Sequence, residues 1–279
     1  MGEFRYNIAL IVSNILFGVS FSLYVSLLRD TLSFEQLFAL QLLFSTIVFA
    51  PLAIGKANFL ALSLNDFGSI FIVALLVVFG WWYLLIAGAS YSNPIDASTI
   101  TTIGPIFTLI VAMIVESRRA TKGEAAGILI ALLGVFALLY DRGRSLVNDG
   151  EEGYGNSLIL CAVVAIAANT VLITPVVRRL GTVVVMGWYY IIGSLLALPL
   201  LIAELPSISF LEFSLTESVE LGYILLFGSW LPIYLLYDGS EHLTPTHTAL
   251  YRYIQPTHNR KRGGYDGLNV AIERGVRRC

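Results

Sequence analysis

Apolar and polar positions along this chain fall into long blocks. Predominantly apolar runs of spanning length fall at about 6–28, 34–54, 66–88, 94–116, 122–140, 155–177, 182–203 and 218–238. Each approximates the roughly 17–25 residues that a helix needs to cross a bilayer. A ninth run begins near Pro245 and fails after Pro256. Backbone groups inside hydrocarbon must pair within their own segment, so such runs predict transmembrane α-helices. Connections are short, which favours antiparallel neighbours; the longest, 141–155, carries Asp141, Asp149, Glu151 and Glu152. The expected fold class is an all-α membrane protein, a polytopic helical bundle.

The fourth and fifth runs form a hairpin whose polar hinge, 116–124, contains Arg118, Arg119 and Lys122. Asn93 suits a helix cap and Pro94 a first helical turn, where the missing N–H costs nothing. Gly104-Pro105 lies inside the fourth run and predicts a kink, because proline frees a carbonyl four residues back. Gly127 and Gly134 in the fifth run are small enough to admit a neighbouring helix closely.

The pattern repeats. Residues 83–105 read YLLIAGASYSNPIDASTITTIGP and 234–256 read YLLYDGSEHLTPTHTALYRYIQP. At a constant offset of 151 the Tyr-Leu-Leu start, Gly88/Gly239, Pro94/Pro245, Ile103/Ile254 and Pro105/Pro256 coincide. Five spans per half is an odd number, so the second copy enters the bilayer from the opposite side. Inverted repeats with proline-interrupted spans at matching positions point to a secondary transporter and to its site.

Composition sharpens this picture. Hydrophobic residues make up 57% and charged residues 13%, with a mean hydropathy of +0.78, against about 25% charged in soluble domains. A net charge of −2 without a basic aromatic groove argues against nucleic acid. Cys161 and Cys279 give no disulfide framework or metal spacing, and all three histidines lie after residue 240. Only Arg5 precedes the first run, which has no small-residue cleavage pattern, so it reads as a span and not a removable signal. With the N-terminus cytoplasmic, Arg5, Lys56, Arg118, Arg119, Lys122, Arg178 and Arg179 lie inside, against Arg29, Arg142 and Arg144 outside. That bias sets the expected topology in a cell (inner) membrane. A Walker loop, HExxH and a Ser/His/Asp arrangement are all missing, so an enzyme, a cofactor and a metal are not expected.

Candidate solute contacts come from polar and aromatic groups within spans. Trp81 and Tyr83 lie in a mid-span aromatic cluster, which either lines a cavity or packs against lipid and helices; Trp188 and Trp230 pose the same choice. Asn14, Gln41 and Asn169 are amides near mid-depth that bridge helices or face a wet cavity. Ser98 and Thr101 precede the Gly-Pro break, where hydroxyls also bond their own backbone carbonyls. Asp96 is a helix-start residue or a proton-coupling acid. Arg252, on a segment with Tyr251, Tyr253 and Gln255, suits a substrate carboxylate or a structural ion pair. Gly104, Pro105 and Pro256 are the expected hinge.

Asn14-Ile-Leu-Phe-Gly-Val-Ser-Phe21, Ala97-Ser98 before Gly104-Pro105, Glu116 at the end of the fourth run and the 123–140 segment together resemble the EamA-like family of the drug/metabolite transporter superfamily, over roughly residues 6–256. The resemblance implies ten helices in two inverted five-helix repeats. Helices one to four and six to nine would line a central cavity, with the fifth and tenth supporting. It also implies alternating-access export or import of small metabolites such as amino acids. Gln41 stands where the family's second-helix arginine is usual. On this reading 1–141 is the first repeat and 155–256 the second, incomplete one, and a homodimer is compatible with both. The tail, 257–279, holds six of the 17 basic residues and cannot cross hydrocarbon, where a central charge costs about 2.5–3.5 kcal/mol. A one-base frame shift near Thr257 yields mainly Ile, Thr, Val, Ala and Met codons, so a frameshift or truncation is expected there. The alternatives are a transport-dead truncated protein and a membrane scaffold whose basic tail binds lipid.

Overall fold

The computed structural model describes residues 2–56, 59–60, 62–92, 94–141, 150–243, 248 and 251. Arg252, Pro256 and the basic tail lie outside the described residues, as does Asn93. Every regular element among the described residues is helical. In chain order these are α1 (Gly2–Asp30), α2 (Phe34–Ile54), α3 (Leu64–Tyr91), α4 (Pro94–Thr101), α5 (Gly104–Val115), α6 (Lys122–Asp141), α7 (Glu151–Leu180), α8 (Thr182–Leu196), α9 (Leu198–Glu204) and α10 (Leu215–His242).

Four of these, α2, α3, α7 and α10, are long and apolar enough to cross a membrane, and α8 with Leu198–Ser207 forms an apolar pair bent by 68°, a broken span or a re-entrant loop. Outward-pointing Ile47, Ile72, Ile114, Ile130, Leu195 and Ile202 are each more than half exposed. Such a continuous apolar exterior is matched to lipid, so the chain is a multi-pass membrane protein.

Local chemistry sets where several helices begin. Ser33 caps α2 in a reciprocal box with Gln36, Ser63 caps α3 with Asp66, and Ser214 caps α10 with Glu217. Each box satisfies two orphan donors of the first turn. The Ser63 and Ser214 boxes stand at the same 151-residue offset as the sequence repeat. Both α3 and α10 contain a π-helical stretch, Leu75–Tyr83 and Ile224–Trp230. These widened turns change which residues share a face, and they recur at functional sites.

Between α4 and α5 the chain makes a tight turn. The N–H groups of Thr102 and Ile103 donate to the carbonyls of Thr99 and Ile100 at 3.1 Å, and Pro105 occupies the first turn of α5. Glycines let helices meet backbone to backbone. A Cβ on Gly155 of α7 would lie 2.8 Å from the carbonyl oxygen of Gly88 in α3, and one on Gly193 of α8 would lie 2.6 Å from Val78. The chief pairings are α2 with α8, α1 with α10, and α7 with both α3 and α5.

Contacts sort the helix ends into two sides. On one, Arg179 pairs with Asp66, Arg5 lies 3.9 Å from Asp238, and Arg178 donates to the carbonyls of Glu241 and Leu243. Tyr6 stacks on His242 there. On the other, Thr31 donates to Glu217, Gln36 to Ser207, and Ser92 to Asn156. The basic residues of the α1 start and the α7 end therefore share a side.

Candidate functional site

The centre of the bundle lies where α1, α2, α3, α8 and α10 meet. Phe38, Gln41, Leu42, Ser45 and Phe49 follow the three- and four-residue spacing of one face of α2, and all are buried. Across from them, Phe38, Leu42, Val77, Val78, Trp82 and Tyr190 surround a small apolar void. Tyr190 packs on Tyr189 with ring centres 4.3 Å apart and on Phe49 at 5.8 Å. Phe49 also meets Trp230 at 5.6 Å and Tyr234 at 6.2 Å. An aromatic wall thus runs from α3 through α8 and α2 to α10.

Polar atoms interleave with this wall, and many lack partners. Tyr24 of α1 donates to the carbonyl oxygen of Gly228 at 3.2 Å and lies 3.4 Å from Gln41 Oε1. Gln41 Nε2 is fully enclosed and finds no acceptor. The indole N–H groups of Trp82 and Trp230 are likewise buried without one. Asn169 of α7 donates to the Tyr237 hydroxyl at 2.7 Å, while its Oδ1 accepts nothing. A buried donor or acceptor left unpaired costs about 1–3 kcal/mol, so several of them on the helices that meet here call for a purpose.

Charge is missing from this level. The middle stretches of α1, α2, α3, α7, α8 and α10 contain no Asp, Glu, Lys, Arg or His. Buried Asp66 sits at the start of α3 against Arg179, and buried Asp96 sits in the first turn of α4. No cluster of metal-ligating side chains occurs among the described residues.

The sequence candidates divide accordingly. Gln41, Trp230 and Asn169 border the central band. Asn14 is buried but donates to the Leu10 carbonyl of its own helix at 2.7 Å. Trp81 is buried on the edge of Phe17, and Tyr83 packs edge-on against Phe34 and Phe38. Trp188 lies at the arginine-bearing end, donating to the Phe59 carbonyl at 2.9 Å and stacking on its ring at 4.7 Å. Thr101 is half-buried and partnered at the end of α4, beside the position of Ser98. Gly104 and Pro105 open α5. Sequence reasoning overlooked Tyr24, Ser45 and Tyr237, whereas Trp82, Tyr189 and Tyr190 belong to the aromatic clusters it weighed as cavity-lining or packed. Helical spacing from Gln41 identifies Ser45.

At the end away from the arginines, Thr31, Gln36, Ser207, Glu212 and Glu217 line an open hollow of about 270 Å³. Thr31 Oγ1 and the Ser214 N–H donate to the Glu217 carboxylate there.

Comparison with known proteins agrees with this architecture. A solved crystal structure superposes with a TM-score of 0.66 at 16% identity, covering 91% of this chain and 85% of the other, which shows a shared fold. The uncharacterized transporter YetK of Bacillus subtilis (strain 168) is 22% identical over 204 residues, 72% of this chain and 61% of its own length. The uncharacterized transporter YyaM of the same organism is 28% identical over 71 residues, 25% of this chain and 23% of its own. The chain thus matches about three fifths of YetK and under a quarter of YyaM. The model of the EamA-like transporter family matches twice, over residues 4–140 and 153–258, and the chain belongs to that family.

Proposed function

We propose that this protein is a secondary transporter that carries a small organic solute through the centre of the bundle by alternating access. The carrying observation is the set of buried, unpartnered polar atoms on α2, α3, α7 and α10, lying among aromatic rings, with no charged residue in the middle stretches of these described helices. Structural amides and indoles in a membrane protein find partners, because hydrocarbon offers none. Atoms left over at the crossing of four helices suit a guest that comes and goes.

An inverted pair of five-helix repeats, 1–141 and 155–256, fits this reading. Its support is the 151-residue offset shared by the capping boxes of α3 and α10, by Gly88 and Gly239, and by the overlapping π-helical stretches. The arginine-bearing end is then cytoplasmic, following the positive-inside bias. At that end Arg5, Arg178 and Arg179 link α1 and α7 to α3 and α10. Gly104-Pro105 supplies one point of bending, and Pro256 its counterpart.

The test is solute counterflow in proteoliposomes made with the purified chain, comparing wild type with Gln41→Leu and Trp82→Ala. The reading expects saturable flux in the wild type and a loss of about tenfold or more in both variants. Absence of flux from correctly folded wild-type protein would favour a scaffold or a transport-dead chain instead.

A further inference from the structure

The unpartnered atoms have a chemical bias, and it specifies the guest. Gln41 Nε2, Trp82 Nε1 and Trp230 Nε1 can only donate and Asn169 Oδ1 can only accept, while the neighbouring Ser45, Tyr189 and Tyr190 hydroxyls turn either way. The surrounding surface is aromatic: Phe38, Trp82 and Tyr190 border the void, and Phe49 and Trp230 continue the same wall. Neither an acid nor a base stands at this level in the six central helices. From this we infer that the central site takes a neutral, planar solute bearing at least two carbonyl or ring-nitrogen acceptors and one N–H. The inference rests on the transport reading above and names its substrate class.

Each alternative leaves a charge or a group uncompensated. An organic cation would meet three buried N–H groups and, among the described residues of these helices, no carboxylate at this level, with only ring faces to attract it. A carboxylate would find donors but, among the described residues of these six helices, no counter-charge at this level, and an unpaired ion deep in low dielectric is costly. A plain hydrocarbon would stack but leave the donors as unsatisfied as before, which is how polar sites reject such analogues. A neutral heterocycle with carbonyl groups answers all of these requirements: its face stacks on the rings, its acceptors take the N–H groups, and its own N–H reaches Asn169.

Three single-ring probes separate the classes: uracil as the neutral heterocycle, benzoate as the anion and benzyltrimethylammonium as the cation. Binding to the purified full chain is followed by tryptophan fluorescence, and transport by counterflow of the labelled compound. The expected result is saturable binding and flux of uracil, with benzoate and benzyltrimethylammonium weaker by at least tenfold. Trp82→Phe, which keeps the ring and deletes its N–H, should weaken uracil about tenfold while leaving the melting temperature near that of wild type. Preference for either ion, or undiminished uracil binding in Trp82→Phe, would overturn the assignment, as would failure of folded protein to bind uracil. Uracil binding without flux would leave the substrate class standing and remove the transport reading.

Discussion

Gly88 and Gly239, 151 residues apart in sequence, each make room for a helix from the other half of the chain. A Cβ on Gly88 would fall 2.6 Å from Cγ1 of Ile159 in α7, and one on Gly239 would fall 2.7 Å from Cδ2 of Leu10 in α1. The third long helix of each half therefore packs against the helix that opens the other half. Such exchange is what a pseudo-twofold relation between halves requires, and it needs a residue without a side chain at both places.

The two sites differ in what surrounds them, and alanine should expose the difference. A methyl group on Gly88 also meets the Gly155 carbonyl oxygen at 2.8 Å, which moves only if α7 shifts. On Gly239 it meets only the flexible end of Leu10. Gly88→Ala is expected to cost about 1–3 kcal/mol, the usual range for overpacking, and Gly239→Ala less than half as much. Thermal unfolding in detergent measures both, and equal losses would contradict this account.

Gln41→Leu should separate stability from function. The substitution keeps the volume roughly constant and removes an enclosed amide nitrogen that has no acceptor. Deleting an unsatisfied buried group recovers up to about 1–3 kcal/mol. The variant is expected to melt at a higher temperature than wild type yet lose solute flux. A lower melting temperature would mean that the amide is structural.

The helices were legible in the sequence because a bilayer demands long apolar segments, and that demand overrides local propensity. The site was only partly legible. Of adjacent Trp81 and Trp82, the sequence singled out the first, whereas Trp82 faces the central void. Both lie in one aromatic cluster, and the π-helical stretch Leu75–Tyr83 turns its members to faces that a regular helix would not give. Trp188 was singled out over Tyr189 and Tyr190 for a related reason: three consecutive aromatics occupy different faces, and nothing in their identity tells which one points inward. Gln41 could be found because an amide amid Leu and Phe is conspicuous anywhere in a span. Tyr24 could not, since tyrosine suits an interface equally well.

The hinge between α5 and α6 should respond to acid. Glu124 accepts from Arg118 and from the Thr121 N–H, both within 3 Å, and Arg118 also donates to Glu116 at 2.9 Å. The Arg118 guanidinium and the Thr121 donors pull the Glu124 carboxyl from its ordinary 4.5 down to about 2. A depressed folded value means that the network contributes above about pH 4.5 and is lost as pH falls toward 2. Amide exchange at Thr121, corrected for its intrinsic pH dependence, should lose protection across that window. Glu124→Gln should reproduce the loss at neutral pH and speed tryptic cleavage after Arg118. Unchanged protection in both experiments would show that the pair does not hold the hinge.

Asp66 serves two ends at once. Its Oδ2 accepts from the backbone N–H and hydroxyl of Ser63 at the start of α3, and its Oδ1 faces Arg179 at the end of α7. Asp66→Asn retains a capping oxygen, whereas Asp66→Ala removes the cap as well, a further loss of about 0.5–2 kcal/mol. Arg179 is more than half exposed, so Arg179→Ala should cost less than Asp66→Ala. The expected order of melting temperatures places Asp66→Ala lowest. Finding Arg179→Ala lowest would make the ion pair, and not the cap, the main fastening.

Pro105 should be needed for motion more than for stability. As a proline it offers no N–H to the carbonyl of Thr101 four residues back, so α4 cannot run continuously into α5. The turn instead uses short-range bonds: Thr102 Oγ1 donates to the Thr99 carbonyl at 2.6 Å, and the Ile106 N–H donates to that of Ile103 at 3.0 Å. Pro105→Ala restores the missing donor and favours one straight helix through the break. Amides at 102–106 should then exchange more slowly, and the melting temperature should hold or rise. Solute flux should fall several-fold, because a carrier whose halves bend at this point would have lost its joint. Slower exchange with full flux would show that the break is a packing accommodation and that bending happens elsewhere, with the paired π-helical stretches of α3 and α10 the next place to look.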